Sequence, residues 1–271
     1  MILVFSYLSH LYLNKIYFNE GVLAESIQFN TSSQEELQFE SITYYNTDPN
    51  VEEDFYEDEE LIEEVSNESL SSENNDLPFV ELEDRVSYGL PKGKVALTFD
   101  DGPSQYTKEI IDILREYKVG GTFFLTGYNV KKYPDYVNYI YSNGYSIGSH
   151  SINHFNMKKL SYDKQKKELI DSIEMLKEIV HEDITLFRPP YGSYNEQLVN
   201  LAADYEYKIV LWNNDPEDWK TRNPNKIFES IKNSNTSGAI ILLHESQAVV
   251  DSLPKIIEYL QEQDLEIVNL K

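Results

Sequence analysis

From Lys92 onward, short runs rich in β-branched and aromatic residues alternate with stretches of helical apolar spacing. That alternation constrains the fold more than anything else in the chain, because strands joined by crossover helices lie parallel in one sheet. The runs are KVALTF (94–99), GTFFLT (121–126), YSIGSH (145–150), TLFR (185–188), YKIVLW (207–212), AIILLH (239–244) and LEIVNL (265–270). Between them, Ile110, Ile113, Leu114 and Tyr117 mark one helix, and Leu169, Ile173, Leu176 and Val180 a second with Ser161 as N-cap. Leu253, Ile256, Ile257 and Leu260 mark a third. The expected fold is α/β, a distorted (β/α)7-type barrel, with an open doubly wound sheet as the alternative. In both, reactive groups belong at the C-terminal ends of the strands.

The chain before Lys92 is of another kind. Residues 25–88 hold 20 carboxylates against one basic residue, Arg85, whereas residues 89–271 contribute only -5 to the net charge of -24. Such a segment buries too little apolar surface to offset its ordering entropy, so 25–88 is expected to be a disordered acidic spacer. Residues 1–24 open with the apolar run MILVFSYLSHLYL, too short to span a membrane. They read as a signal peptide or anchor, with Val22-Leu23-Ala24 as a cleavage site, although no basic residue precedes the run. The protein is therefore expected to be secreted or held at the cell surface, and monomeric. Net acidity without a basic stripe argues against nucleic acid as a partner, and the lack of cysteine excludes thiolate chemistry.

Five of the seven runs end in residues capable of chemistry. The first ends in Asp100-Asp101, the third leads into His150 and His154, and the fourth ends in Arg188. The fifth leads to Asp215 and Asp218, and the sixth ends in His244. His150 and His154 lie four apart, so one helical turn would set both imidazoles on one side. Two imidazoles and a carboxylate make a common set for a catalytic divalent metal. One aspartate of the pair would then be a ligand and the other would stay free beside the metal's water. Gly102-Pro103 would turn the chain and release both side chains from strand alternation. His244 would supply an acid for a leaving group, and Arg188 would grip a carboxylate in bidentate fashion. Trp212 and Trp219 flank the DPED segment as possible sugar platforms.

Together TFDDGP, HSINH, RPPYG, DPEDW and LLH closely resemble the motifs of the polysaccharide deacetylases of carbohydrate esterase family 4, the NodB-homology enzymes. The resemblance runs from about Lys92 to the C-terminus, so 89–271 reads as a catalytic domain. It implies removal of acetyl from N-acetyl sugars of a polymer, with peptidoglycan N-acetylglucosamine first among the substrates. Chitin, poly-N-acetylglucosamine and acetyl-xylan are the alternatives, as is an inactive carbohydrate-binding surface protein. It also implies a divalent metal, with Zn2+ ahead of Co2+, Ni2+ or Mn2+, held by Asp101, His150 and His154. Asp100 would be the base, oriented by Arg188, and His244 the acid, tuned by Asp218. The Tyr191 amide would serve the oxyanion, with Leu242 and Trp219 as walls of the acetyl pocket. Two departures stand out: Glu245 where aspartate is usual, and Asn213-Asn214 where an apolar residue is common.

Overall fold

The computed structural model describes residues 77–271 in full and, of the preceding chain, the backbone of three strands. The chain divides into two units, Met1–Ser69 and Leu70–Lys271. In the first, β1 (Ile16–Phe18), β2 (Val22–Asn30) and β3 (Gln38–Asn46) form an antiparallel sheet in that order. Disorder expected over 25–88 is thus not what is seen at 25–30 or 38–46. SIQF (26–29) and ITY (42–44) alternate apolar with polar residues, a strand pattern that the segment's average acidity conceals. The apolar run 1–13 and the acidic heart of the spacer lie outside the described residues.

The second unit begins before the expected boundary at residue 89. Short strands β4 (Phe79–Val80) and β5 (Val86–Ser87) lead into it, and Leu82 and Ser87 between and within them are buried. Then come β6 (Lys94–Gly102), α1 (Thr107–Glu116), β7 (Thr122–Leu125), α2 (Gly127–Lys132), α3 (Pro134–Ser142), β8 (Ser146–Ser149) and α4 (Tyr162–Val180). The rest is β9 (Leu186–Phe187), α5 (Glu196–Asp204), β10 (Lys208–Val210), α6 (Asp218–Thr221), α7 (Pro224–Lys232), β11 (Ala239–His244), α8 (Gln247–Glu262), β12 (Glu266–Ile267) and β13 (Asn269–Leu270). Ser161 holds the N-cap position of α4, though its side chain makes no capping hydrogen bond.

The sheet runs β11-β6-β7-β8-β9-β10-β5, every pair parallel. It curls until Asn214 bridges Ile241 and Gly89 bridges Ala239, giving the distorted barrel. Along β6, Val95, Leu97 and Phe99 pack outward with Ile110, Leu114, Leu253 and Ile257 of the helices. Ala96 faces inward with Phe124, Leu186, Val210 and Ile240, so Thr98 and Asp100 continue the inward row by the two-residue period.

The seventh run, 265–270, does not form one barrel strand. β12 pairs with Lys94–Val95, whereas β13 pairs with β4 in a separate two-stranded sheet. β7 holds that edge of β6 from Thr98 onward, and β12 pairs ahead of it at Lys94 and Val95.

Candidate active site

Alternation would send Asp101 outward, away from Asp100. A β-bulge prevents this. Asp100 pairs with Phe124 and Gly102 with Leu125, leaving Asp101 as the extra residue with φ 66°. Aspartate is among the few residues that tolerate this left-handed conformation, and Asn129 holds it by donating from Nδ2 to the Asp101 carbonyl at 2.7 Å. The strand continues through Gly102. Release from alternation therefore comes from Asp101 itself and not from a turn at Gly102-Pro103.

His150 and His154 do converge, with ring centroids 5.0 Å apart, but a tight loop brings them together where a helical turn was expected. Ser151 and His154 adopt φ values of 65° and 56°. Donor atoms of Asp101, His150 and His154 all lie within 4.8 Å of one another. His154 Nε2 is 3.3 Å and His150 Nε2 3.8 Å from Asp101 Oδ1. The far nitrogen of His150 fixes its tautomer. His150 Nδ1 lies 2.7 Å from the Arg188 carbonyl, which can only accept, so Nδ1 carries the proton and Nε2 keeps a lone pair. Burial holds His150 below its ordinary pKa against the pull of Asp100 and Asp101, and a neutral imidazole is the form that ligates. His154 Nδ1 meets the Tyr191 hydroxyl at 3.2 Å. This donor set, with two lone pairs and a carboxylate converging, fits a divalent ion.

Asp100 is buried on the other side of this cluster, its Oδ2 3.6 Å from His150 Nε2. Its Oδ1 accepts from Arg188 Nη1 at 2.7 Å, a single contact where a bidentate grip was expected. The remaining Arg188 donors are spread elsewhere. Nη1 also reaches Thr98 Oγ1, Nε the Val210 carbonyl and Nη2 the Leu211 carbonyl. The guanidinium is fully buried 4.0 Å from the Phe124 ring centroid. A buried charge so fully bonded is held rigidly, and so is the carboxylate it touches.

Across the mouth, His244 Nδ1 lies 2.9 Å from Asp218 Oδ1, and its backbone N–H donates to Asp218 Oδ2, also at 2.9 Å. Burial lowers the His244 pKa, but the hydrogen bond and charge of Asp218, with the charges of Asp100 and Asp101, outweigh it and push the value up to about 9. Trp219, half exposed, and Asp218, His244, Asp101, Tyr106 and Arg222 line a cleft of about 450 Å³. Leu242 is buried in β11, on the inward row between Ile240 and His244 and beside Thr98 of β6. Trp212 packs on the core, so only Trp219 of the two tryptophans presents its ring. The Tyr191 amide opens a short 3-10 turn, Pro190–Gly192, where the first N–H groups have no acceptor within the turn.

Two carboxylates that sequence reasoning passed over hold the ligand loops. Glu168 of α4 accepts from the backbone of Ile152 and Asn153 at 3.0 and 2.9 Å and from Asn153 Nδ2 at 2.7 Å. Glu245 Oε2 accepts from Ser104 N, Ser104 Oγ and Thr107 Oγ1 at 2.9, 2.6 and 2.5 Å, tying the end of β11 to the loop after β6. Glu245 was noted only as a departure at the rim. It is half-buried in the support of that loop, and a Cβ at Gly102 would overlap it.

A parallel α/β barrel with a two-histidine, one-aspartate cluster at its C-terminal face defines a metal-dependent hydrolase of the barrel type. Residues 87–210 match the polysaccharide deacetylase family. A peptidoglycan-N-acetylglucosamine deacetylase of Bacillus cereus is 35% identical over 185 residues, which cover 66% of this chain and 67% of that one. The chain belongs to the polysaccharide deacetylase family. Among solved structures, the Bc1960 peptidoglycan N-acetylglucosamine deacetylase superposes with TM-score 0.66 at 34% identity, covering 68% of this chain and 90% of that one. A carbohydrate esterase family 4 pseudoenzyme from Bacillus anthracis gives the same TM-score at 29% identity, over 69% of this chain and 68% of that one. Backbone similarity therefore does not separate active from inactive relatives, and the side chains must.

Proposed function

We propose that this protein removes N-acetyl groups from a cell-wall polysaccharide at the cell surface, with N-acetylglucosamine units of peptidoglycan as substrate. One observation carries the reading: a metal donor set, a separately anchored aspartate and a separately anchored histidine are all present around one mouth. Asp101, His150 and His154 would hold the ion, zinc first and cobalt, nickel or manganese next. When bound, a divalent ion supplies Lewis-acid polarisation and a lowered pKa for a coordinated water.

The residues divide the remaining work. Asp100, with Oδ1 held by Arg188 and Oδ2 turned toward the cluster, takes the proton of the attacking water as it adds to the acetyl carbonyl. The Tyr191 amide stabilises the oxyanion. His244, protonated through Asp218, gives its proton to the nitrogen as the C–N bond breaks, releasing acetate and a free amine. Trp219 supports the sugar.

The test is acetate release from N-acetylated glycan oligomers with added zinc, for the protein and for Asp100→Asn. Release that disappears in the variant supports the reading, and unchanged turnover in the variant would sink it. The same chemistry would serve chitin or acetyl-xylan, because the site addresses the acetyl group. An inactive glycan binder is disfavoured because no member of the set is missing.

A further inference from the structure

In a chain of net charge -24, the ten residues Lys158–Lys167 hold five lysines against a single carboxylate, Asp163. They lie at one side of the active site, from the 3-10 turn Met157–Lys159 into the first turns of α4. All five lysines are exposed. Two of them, Lys164 and Lys167, line a hollow of about 340 Å³ with Phe155, Leu160 and Glu168, and Lys158 and Lys159 directly precede Leu160 in the chain. Phe155 directly follows His154 and is half exposed, so the hollow begins one residue from the metal cluster.

Over residues 158–171, five lysines stand against three carboxylates, Asp163, Glu168 and Asp171, a net of +2. Glu168 is buried, and its two oxygens are engaged by Ile152 and Asn153. Lys167 is paired with Asp171, and Lys166 lies 5.5 Å from the Tyr205 ring centroid. Among the described residues, Lys158, Lys159 and Lys164 have no carboxylate within 4.0 Å. The N-terminus of α4, nineteen residues long, adds the positive end of its dipole at the same edge.

We propose that this hollow is a second glycan subsite that selects a carboxylate-bearing polymer. Phe155 takes the face of a sugar next to the one being deacetylated, and Lys164, supported by the charge of Lys158 and Lys159 just before the lining residue Leu160, takes a carboxylate carried on that unit. A ring face suits the C–H side of a pyranose, and a flexible ammonium suits a carboxylate whose position varies along the chain. This inference rests on the deacetylase reading and sharpens its substrate class, since neutral chitin and acetyl-xylan offer nothing to the lysines.

The experiment compares three substrates with the zinc-loaded full chain: a neutral N-acetylglucosamine oligomer, a peptidoglycan fragment with free carboxylates, and the same fragment with those carboxylates amidated. The carboxylated fragment is expected to exceed the amidated one about tenfold in kcat/KM at low salt, the gap closing as salt rises. Lys158→Ala/Lys159→Ala/Lys164→Ala should remove that gap through KM, leaving kcat and the neutral oligomer unchanged. Equal rates on carboxylated and amidated fragments would overturn the subsite, as would an equal loss in the variant on all three substrates. If no substrate releases acetate, the deacetylase reading fails. Calorimetric binding of the two fragments then tests the subsite directly, and equal affinities refute it.

Discussion

Three histidines stand at strand ends around one mouth, and the partner of each far nitrogen separates them into two kinds. His150 gives Nδ1–H to a backbone carbonyl, and His154 Nδ1 meets a tyrosine hydroxyl, both uncharged partners. His244 gives Nδ1 to the Asp218 carboxylate and is pushed up to about 9. Burial alone would lower both His150 and His244, so burial does not decide the role. In this site the partner behind the ring separates them: the carboxylate of Asp218 raises His244, which no carboxylate does through the far nitrogen of the other two.

The same division should be visible in the two aspartates, with the largest effect of all. Asp100→Asn should lower kcat by about 10²- to 10⁴-fold while zinc binding, followed by calorimetry, is kept. Asp101→Ala should lose the zinc. Equal loss of zinc in both variants would refute the division of roles.

Next in size is Arg188→Ala, which leaves Asp100 buried without its partner. A cost of about 3–5 kcal/mol is expected, read from denaturant unfolding of the metal-free protein. A loss below 1 kcal/mol, the scale of an exposed pair, would mean that Asp100 finds another partner.

Asp218→Asn breaks the histidine comparison itself. The acid must be protonated, so activity is available below about 9 and lost as pH rises through it. In the variant this alkaline limb should move down toward the ordinary 6.5 of histidine, seen in the profile of kcat/KM against pH. An unmoved limb would assign it to another group. The smallest change is expected for Tyr191→Phe, which removes the hydroxyl behind His154. Zinc affinity should fall about tenfold with the alkaline limb unchanged.

Much of this arrangement can be read from the residues in order, and the failures have particular causes. Asp100, His150, Arg188 and His244 were legible because each closes an apolar run, and the ends of parallel strands share one face. The bulge at Asp101 was not, since it depends on how β7 registers against β6. The HSINH loop imitates helical spacing, but Glu168, fourteen residues after His154, shapes it through its backbone amides. Glu245 looked peripheral for the same reason: its partners Ser104 and Thr107 are some 140 residues earlier in the chain. The division into β12 and β13 depends on pairing with β6 and β4, which lie far earlier in the chain.

Asp101, Ser151, His154, Tyr191 and Glu217 all hold left-handed backbone conformations around the mouth, each costing a non-glycine residue about 1 kcal/mol or more. Asp101→Gly or His154→Gly would relax the chain and delete a ligand in one step. For this protein, then, mutational drift toward a sturdier fold is also drift toward silence. Selection for turnover must continually oppose it, and when that selection lapses, a well-folded barrel without activity is the expected remnant.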